Sequence, residues 1–245
     1  MKYTYSEIKN TLSKKKRKSE SIWSQYVVRP LSFPLTYLLA NLRMTAWAAS
    51  VLSIVVAMAG CMMLCASTSW IRWAGVALIN LWCVLDCVDG NIARVTKSAS
   101  PLGEFIDAQS GYTVSAFCYI GMAMAAAHTS NVFGMDPIWM VFMGGMASVC
   151  NTLPRLIHQK YTVSAMKIDA DAQKAEEEQE DERRFSFKNI RKRVGKEIGL
   201  EGMFMPLLIL CEAFHIYHYA VIFYFAFTVV SLLLVSVVYA KKAKV

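Results

Sequence analysis

Runs of about 20 residues with almost no charge recur along this chain, and that is the length a helix needs to cross the hydrocarbon core of a bilayer. They fall at about 44–66, 70–94, 101–127, 137–159, 202–216 and 218–240, the fifth being the shortest. Within lipid every backbone polar group must find its partner inside the protein, so segments of this kind are helical. The expected fold is all-α, a polytopic membrane protein with six transmembrane helices. Composition agrees: 56% of the 245 residues are hydrophobic and 18% are charged, against about 25% charged in a typical soluble domain.

The flanking segments complete the expected layout. Residues 1–43 form a cytoplasmic N-terminus, 44–159 the first four spans, 160–200 a charged insertion, and 201–245 the last two spans with a basic end. The N-terminus is polar and Lys-rich from Lys14 to Lys18, with no apolar stretch leading to a cleavage site, so it does not read as a signal peptide. Tyr3, Tyr5, Ile8 and Leu12 are spaced for a weakly amphipathic helix over 3–22. The stretch 30–42, marked by Pro30 and Pro34, is too short for a span and reads as a helix lying at the interface. The expectation is thus an N-terminal amphipathic juxtamembrane helix ahead of the first span.

The net charge of +8 raises the question of nucleic acid, and the placement of the charge answers it. Of the 26 Lys and Arg, all but Arg72 lie on the side of both termini, the 94–100 turn and the long 160–200 connection. By the positive-inside rule that side is cytoplasmic. The basic excess is then a topology signal with some attraction for anionic lipid, and nucleic acid is not an expected partner. The connection itself is acidic from Asp169 to Glu182 and basic from Arg183 to Lys196. It reads as a solvated hairpin whose halves attract, or as a lid over the site. The seven cysteines all sit in apolar segments, where Cys behaves as a small hydrophobe.

Polar residues concentrate where the second and third spans meet the cytoplasmic face. At helical spacing Asp86, Asp89, Gly90 and Ala93 share one face, with Arg94 at its border. Gly103, Asp107 and Gly111 follow at i, i+4 and i+8 on the next helix. Ionisable groups inside a span are costly and normally face a cavity or a partner. Three converging carboxylates require positive charge between them, and oxygen-only ligands suit a hard divalent cation, Mg²⁺ or Mn²⁺. Asp86, Asp89 and Asp107 are the candidate metal ligands. The small residues leave helix surfaces bare for a base or phosphate, and Arg94 offers a fixed cation for phosphate oxygens.

Two other accounts of the cluster compete. A buried salt-bridge network could use Arg94 and Lys97 to neutralise the acids. Yet three acids and three small residues in two facing stripes exceed what anchoring two helices requires. A proton-coupled transporter would also place carboxylates in spans, but such folds usually carry internal repeats, and none stands out here.

The pattern resembles the CDP-alcohol phosphotransferase signature, D-x2-D-G-x2-A-R-x8-G-x3-D-x3-D. Asp86, Asp89, Gly90, Ala93, Arg94, Gly103 and Asp107 match it in identity and spacing. The resemblance implies six spans, an N-terminal amphipathic helix, and attack of an acceptor hydroxyl on the phosphorus of a CDP-linked donor with release of CMP. It further implies that Asp86, Asp89 and Asp107 hold one or two divalent ions. The nucleotide would lie on Asp86, Gly90, Ala93, Arg94, Gly103 and Asp107. Many members make phospholipids from acceptors that enter from the bilayer, and many form homodimers.

One position departs: the eighth motif residue, an Asp in most of the family, is Gly111 here. In the family that Asp is the proposed base for the acceptor hydroxyl and helps hold a second metal. The departure leaves three readings: a catalytically silent nucleotide-binding variant, a replacement base, or a different substrate. Glu104, one turn before Asp107, is the best replacement on chemistry, with Ser110 beside the gap as another. Glu104 equally suits a solvated helix start. A different substrate could be a CMP-linked phosphonate donor, serving phosphonolipid or cell-surface glycan synthesis. Asn151 and Arg155, one turn apart near the cytoplasmic end of the fourth span, join Gly111 as an expected acceptor pocket. Asn80 is expected to bond a neighbouring helix, and Glu212 has no partner visible in the sequence.

Overall fold

The computed structural model describes residues 3–12, 20–129, 134–168, Gly199 and 202–242, and among these the chain is helical with no strand. A short α1 (Tyr5–Asn10) and a π-helical segment (Ser24–Val28) precede α2 (Arg29–Asn41). The longer helices follow: α3 (Ala46–Leu64), α4 (Ser69–Thr96), α5 (Pro101–His128) and α6 (Pro137–Ile168). The last two are α7 (Phe204–Phe214) and α8 (Tyr217–Lys242).

A helix therefore occupies each of the six expected spans. Three of them, α3, α4 and α8, are long and apolar enough to cross a membrane by length and composition. Helices α5 and α6 have the length but carry more polar groups, including Glu104, Asp107 and Gln109 on α5 and Asn151, Arg155 and His158 on α6. Helix α7 has 11 residues, about 17 Å at the standard rise, and ends at His215 in the left-handed conformation (φ 55°). Helix α6 runs on to Ile168, past the expected end at 159. Loss of hydropathy marks where lipid ends, not where a helix must stop. The acidic and basic halves of the expected insertion, Asp169–Glu182 and Arg183–Lys196, lie outside the described residues.

The outer surface is what lipid would require. Large apolar side chains stand exposed on several helices, among them Val55, Trp70, Phe142, Leu233 and Val237, far more than a water-soluble surface carries. Inside, α3 packs against both α4 and α5, α5 against α6, and α6 against α8, while α2 and α7 pack on α4. Small residues permit the closest approaches, as expected where lipid offers no hydrophobic drive between helices. A Cβ at Gly75 would lie 2.8 Å from the Gly60 carbonyl oxygen and 2.8 Å from the Leu64 nitrogen. Gly144 is likewise pressed on Ala123 and on the Tyr119 carbonyl oxygen, 2.7 Å from its absent Cβ. Tyr119, Phe204 and Tyr224 meet ring to ring at 5.0–5.4 Å, joining α5, α7 and α8.

The N-terminal segment differs from the expected amphipathic helix. Helix α1 is six residues long, closed by a capping box between Thr4 and Glu7. Its apolar residue Ile8, with Leu12 beyond it, is buried against Phe33 of α2 instead of lying on a membrane surface. Helix α2 has the polarity of a helix in lipid: Leu31 and Leu38 are exposed, while Arg29, Ser32 and Thr36 face inward. The π-helical turn comes just before Pro30, and the Arg29 N–H reaches back five residues to the Ser24 carbonyl.

Arg72, the one Lys or Arg expected away from the cytoplasmic side, has a structural explanation. Its Nε donates to Glu212 Oε2 at 2.9 Å, tying α4 to α7, with both side chains buried. Ser69 donates to the other Glu212 oxygen, and Arg72 Nη1 donates to the carbonyls of Ser67 (2.6 Å) and Ala66 (3.2 Å). The partner that the sequence did not reveal for Glu212 is thus Arg72. Breaking one half of a buried pair strands the other charge, at a cost of about 3–5 kcal/mol. Glu212→Leu is expected to lower stability by that amount in detergent unfolding. The double change Arg72→Met with Glu212→Leu should recover most of the loss.

Candidate active site

Helix α4 has 28 residues, about 42 Å of rise, which exceeds a hydrocarbon core of about 30 Å. Its final third, Asp86 to Arg94, therefore falls toward one edge of the apolar layer. Lys97 closes α4 in the left-handed conformation (φ 53°), and Ser100 caps α5 by accepting from the Gly103 N–H at 3.1 Å. Pro101 occupies the start of α5, where its missing N–H costs nothing. This stop and restart places Gly103, Asp107 and Gly111 at the same end of the helices as the α4 acids.

Asp89 is buried, at 4% exposure. It accepts from Ser50 Oγ of α3 and from the Gly90 N–H. Asp86 is half-buried and Asp107 exposed on the second turn of α5, close enough to act on Asp89 electrostatically. The helices α4 and α5 touch each other little, because α3 packs against both. Among the described residues no three His, Cys, Asp or Glu side chains gather into a metal-binding group.

The residues nonetheless suit a hard cation. Asp89 is a buried carboxylate with no ion-pair partner among the described residues, whereas Arg29 pairs with Glu20 and Arg72 with Glu212. A buried anion with only a hydroxyl and one N–H as donors is short of positive charge, and carboxylate oxygens are the donors that Mg²⁺ and Mn²⁺ prefer.

Arg94 makes no direct ion pair with Asp89, although its charge acts on that carboxylate. Its Nη2 donates to Asn91 Oδ1 at 2.7 Å, and its Nε is buried without a hydrogen-bond partner. Lys97 is exposed. Asn91 in turn donates to Ser32 (3.3 Å) and Thr36 (3.1 Å) of α2, and accepts weakly from Arg29 Nη1 at 3.4 Å. Arg29 is paired with Glu20. Burial works against the Arg29 charge, but the Glu20 hydrogen bond, helped by nearby Cys87, Glu20 and Asp86, leaves its pKa raised. The inward polar stripe of α2 thereby fixes the residue that holds Arg94.

The motif glycines behave unlike the packing glycines. The atoms nearest a Cβ on Gly90 would be those of the Arg94 guanidinium, 3.3 Å away, and one on Gly103 would meet Ser100 Oγ, also at 3.3 Å. Neither is pressed on another helix. Their bare surfaces, with half-buried Ala93 between them in sequence, are not demanded by packing among the described residues.

At Gly111 the neighbour is Arg155 of α6, whose Nη1 lies 3.7 Å from the position of a Cβ. The same guanidinium stands 5.5 Å from the centre of the Tyr112 ring. The structure thus brings Gly111 and Arg155 together. Asn151, half-buried, has a buried Nδ2 with no partner. Glu104 is exposed in the first turn of α5. Ser110 is excluded as a replacement base by its partners: fully buried, it accepts from Trp82 Nε1 at 2.7 Å and shares a 3.0 Å hydrogen bond with Ser53. Asn80 bonds the Val76 carbonyl of its own helix at 2.9 Å, not a neighbour.

Ser50, Arg29 and Glu20 are the site neighbours that sequence reasoning missed. A signal was present for Ser50, since Ser50 and Ser53 are polar residues at helical spacing in an otherwise apolar span. Arg29 and Glu20 carried none.

No curated protein and no solved structure matches this chain. The sequence model of one family, CDP-alcohol phosphatidyltransferase, matches residues 38–177. That stretch is more than half of the chain and holds α3 to α6 with the whole motif, and on that basis the chain belongs to the CDP-alcohol phosphatidyltransferase family.

Proposed function

We propose that this chain is a divalent-metal-dependent transferase that moves a substituted phosphate or phosphonate group from a CDP-alcohol or other CMP-linked donor to an acceptor hydroxyl. The observation that carries the reading is the pairing of a buried Asp89, which has no direct ion pair, with glycine surfaces that no helix among the described residues covers. In this reading all six span helices cross the membrane, α2 lies along its cytoplasmic face, and the site and both termini face the cytoplasm. The acceptor is a lipid or another membrane-accessible alcohol, in phospholipid, phosphonolipid or cell-surface glycan synthesis. The chain works as a homodimer or alone.

Asp86, Asp89 and Asp107 would hold Mg²⁺ or Mn²⁺, which when bound supplies Lewis-acid polarisation of phosphoryl oxygens. The donor's nucleotide lies on Gly90, Ala93 and Gly103, and Arg94 swings from Asn91 to the phosphates. The acceptor oxygen forms its bond to phosphorus as the bond from phosphorus to the CMP oxygen breaks. The hydroxyl proton passes to a carboxylate at the start of α5, Asp107 or Glu104. Asn151 and Arg155 orient the acceptor.

Purified full-length protein, given CDP-linked and CMP-linked donors with Mn²⁺ or Mg²⁺ and a panel of alcohols, should release CMP together with the new ester. Metal-independent turnover would refute the mechanism. The absence of a preassembled three-ligand group among the described residues favours one rival, a silent nucleotide-binding protein. Nucleotide binding without turnover across the panel would establish that rival.

A further inference from the structure

We infer that Arg155 supplies the second positive charge of this site, so that its acidic face holds one divalent cation and not two. The inference rests on the proposed metal-dependent reading and specifies how that site is charged. Arg155 Nη1 covers the α5 surface one turn beyond Asp107, at Gly111. Two contacts hold it there: its guanidinium lies against the Tyr112 ring, and the Tyr112 hydroxyl accepts from Gln159 Nε2 at 2.5 Å. Arg155 and Gln159 are one turn apart on α6, so the helix grips Tyr112 twice.

Charge decides what this arrangement permits. A cation beside Gly111 would meet no carboxylate at that position and would face a guanidinium that stays protonated at any working pH. Repulsion between like charges at a few ångströms is substantial near a low-dielectric interior. On the α5 side the Arg155 guanidinium stands where a second cation would have to sit, while Arg94 supplies positive charge on the α4 side. Of the other arginines near the motif, Arg29 is paired with Glu20, and Arg94, held by the neutral Asn91 amide on the α4 side, is the one assigned to the donor phosphates. Arg155 is also exposed, so its N–H groups can reach a phosphoryl oxygen of a substrate, the geometry a guanidinium recognises well. It cannot take a proton from the acceptor, which leaves that role to the α5 carboxylates.

Titration of the full-length chain in detergent with Mn²⁺ in the presence of CMP, with free ion counted by electron paramagnetic resonance against a nucleotide blank, tests this. One ion per chain is expected. Gly111→Asp should still bind one, because the new carboxylate pairs with Arg155. Gly111→Asp combined with Arg155→Ala should bind two. Two ions in the unmodified chain, or one in the double variant, would overturn the inference while leaving metal dependence intact. No bound ion would remove the metal reading itself. The count in the unmodified chain decides alone if a variant does not fold.

Discussion

Asp89→Asn should cut CMP release by about two to three orders of magnitude while leaving the helices as stable as before, or more stable. The side chain keeps its volume, and its amide oxygen can still accept from the Gly90 N–H, while the Ser50 hydroxyl can turn to accept from the new amino group. The hydrogen-bond change is therefore worth at most about 1 kcal/mol. Against that, the parent holds a carboxylate at 4% exposure with no ion-pair partner, and removing that charge relieves a desolvation penalty. In metal-free buffer the variant should melt at or above the parent's temperature. Its rate should fall by about 100- to 1,000-fold, the usual consequence of losing a group that stabilises developing charge. Initial rates of CMP release at saturating Mn²⁺, paired with thermal unfolding, give both readouts. A variant with activity within a few-fold of the parent would remove Asp89 from the metal site. A variant that loses activity only because it unfolds would assign the carboxylate to architecture.

That opposition between stability and chemistry also explains which features the sequence could carry. The helices were legible because lipid imposes a length, and α3, α4 and α8 fall where apolar runs predicted them. The start of α5 was legible as well, in the Ser100-Pro101 pair that caps it. The motif residues could be placed on helix faces because their spacing is local. Contacts between distant segments left no such trace. Arg72 and Glu212 are 140 residues apart, and Asp89 and Ser50 are 39 apart. Nothing in either local pattern names the other. The expected convergence of three acids used only the spacing within α4 and α5, and the intervening packing of α3 against both left no trace in that spacing. The N-terminal expectation over 3–22 is met only by the short α1, with 13–19 outside the described residues. Periodicity at Ile8 and Leu12 identified an apolar face but could not say that Phe33, and not lipid, would cover it.

The same distinction separates two sorts of glycine, and substitution should divide them cleanly. At Gly75 a Cβ would lie 2.8 Å from backbone atoms of α3, which cannot move without shifting the whole helix. Gly75→Val is expected to cost about 3 kcal/mol or more, at the upper end of overpacking penalties, and should reduce the yield of folded protein. At Gly90 the nearest atom is the mobile end of Arg94, and at Gly103 it is a serine hydroxyl. Glycine inside a helix is about 1 kcal/mol less favourable than alanine, so Gly90→Ala should raise stability if folding alone were at stake. A nucleotide lying on that surface reverses the sign for binding. Gly90→Val is expected to weaken CMP affinity at least tenfold, about 1.4 kcal/mol, with unfolding unchanged within error. Calorimetric titration with CMP and thermal melting of the three variants would separate the effects. If Gly90→Val bound CMP as tightly as the parent, the nucleotide would not lie on this face. If Gly90→Ala destabilised the chain as Gly75→Val does, the motif glycines would be packing residues after all.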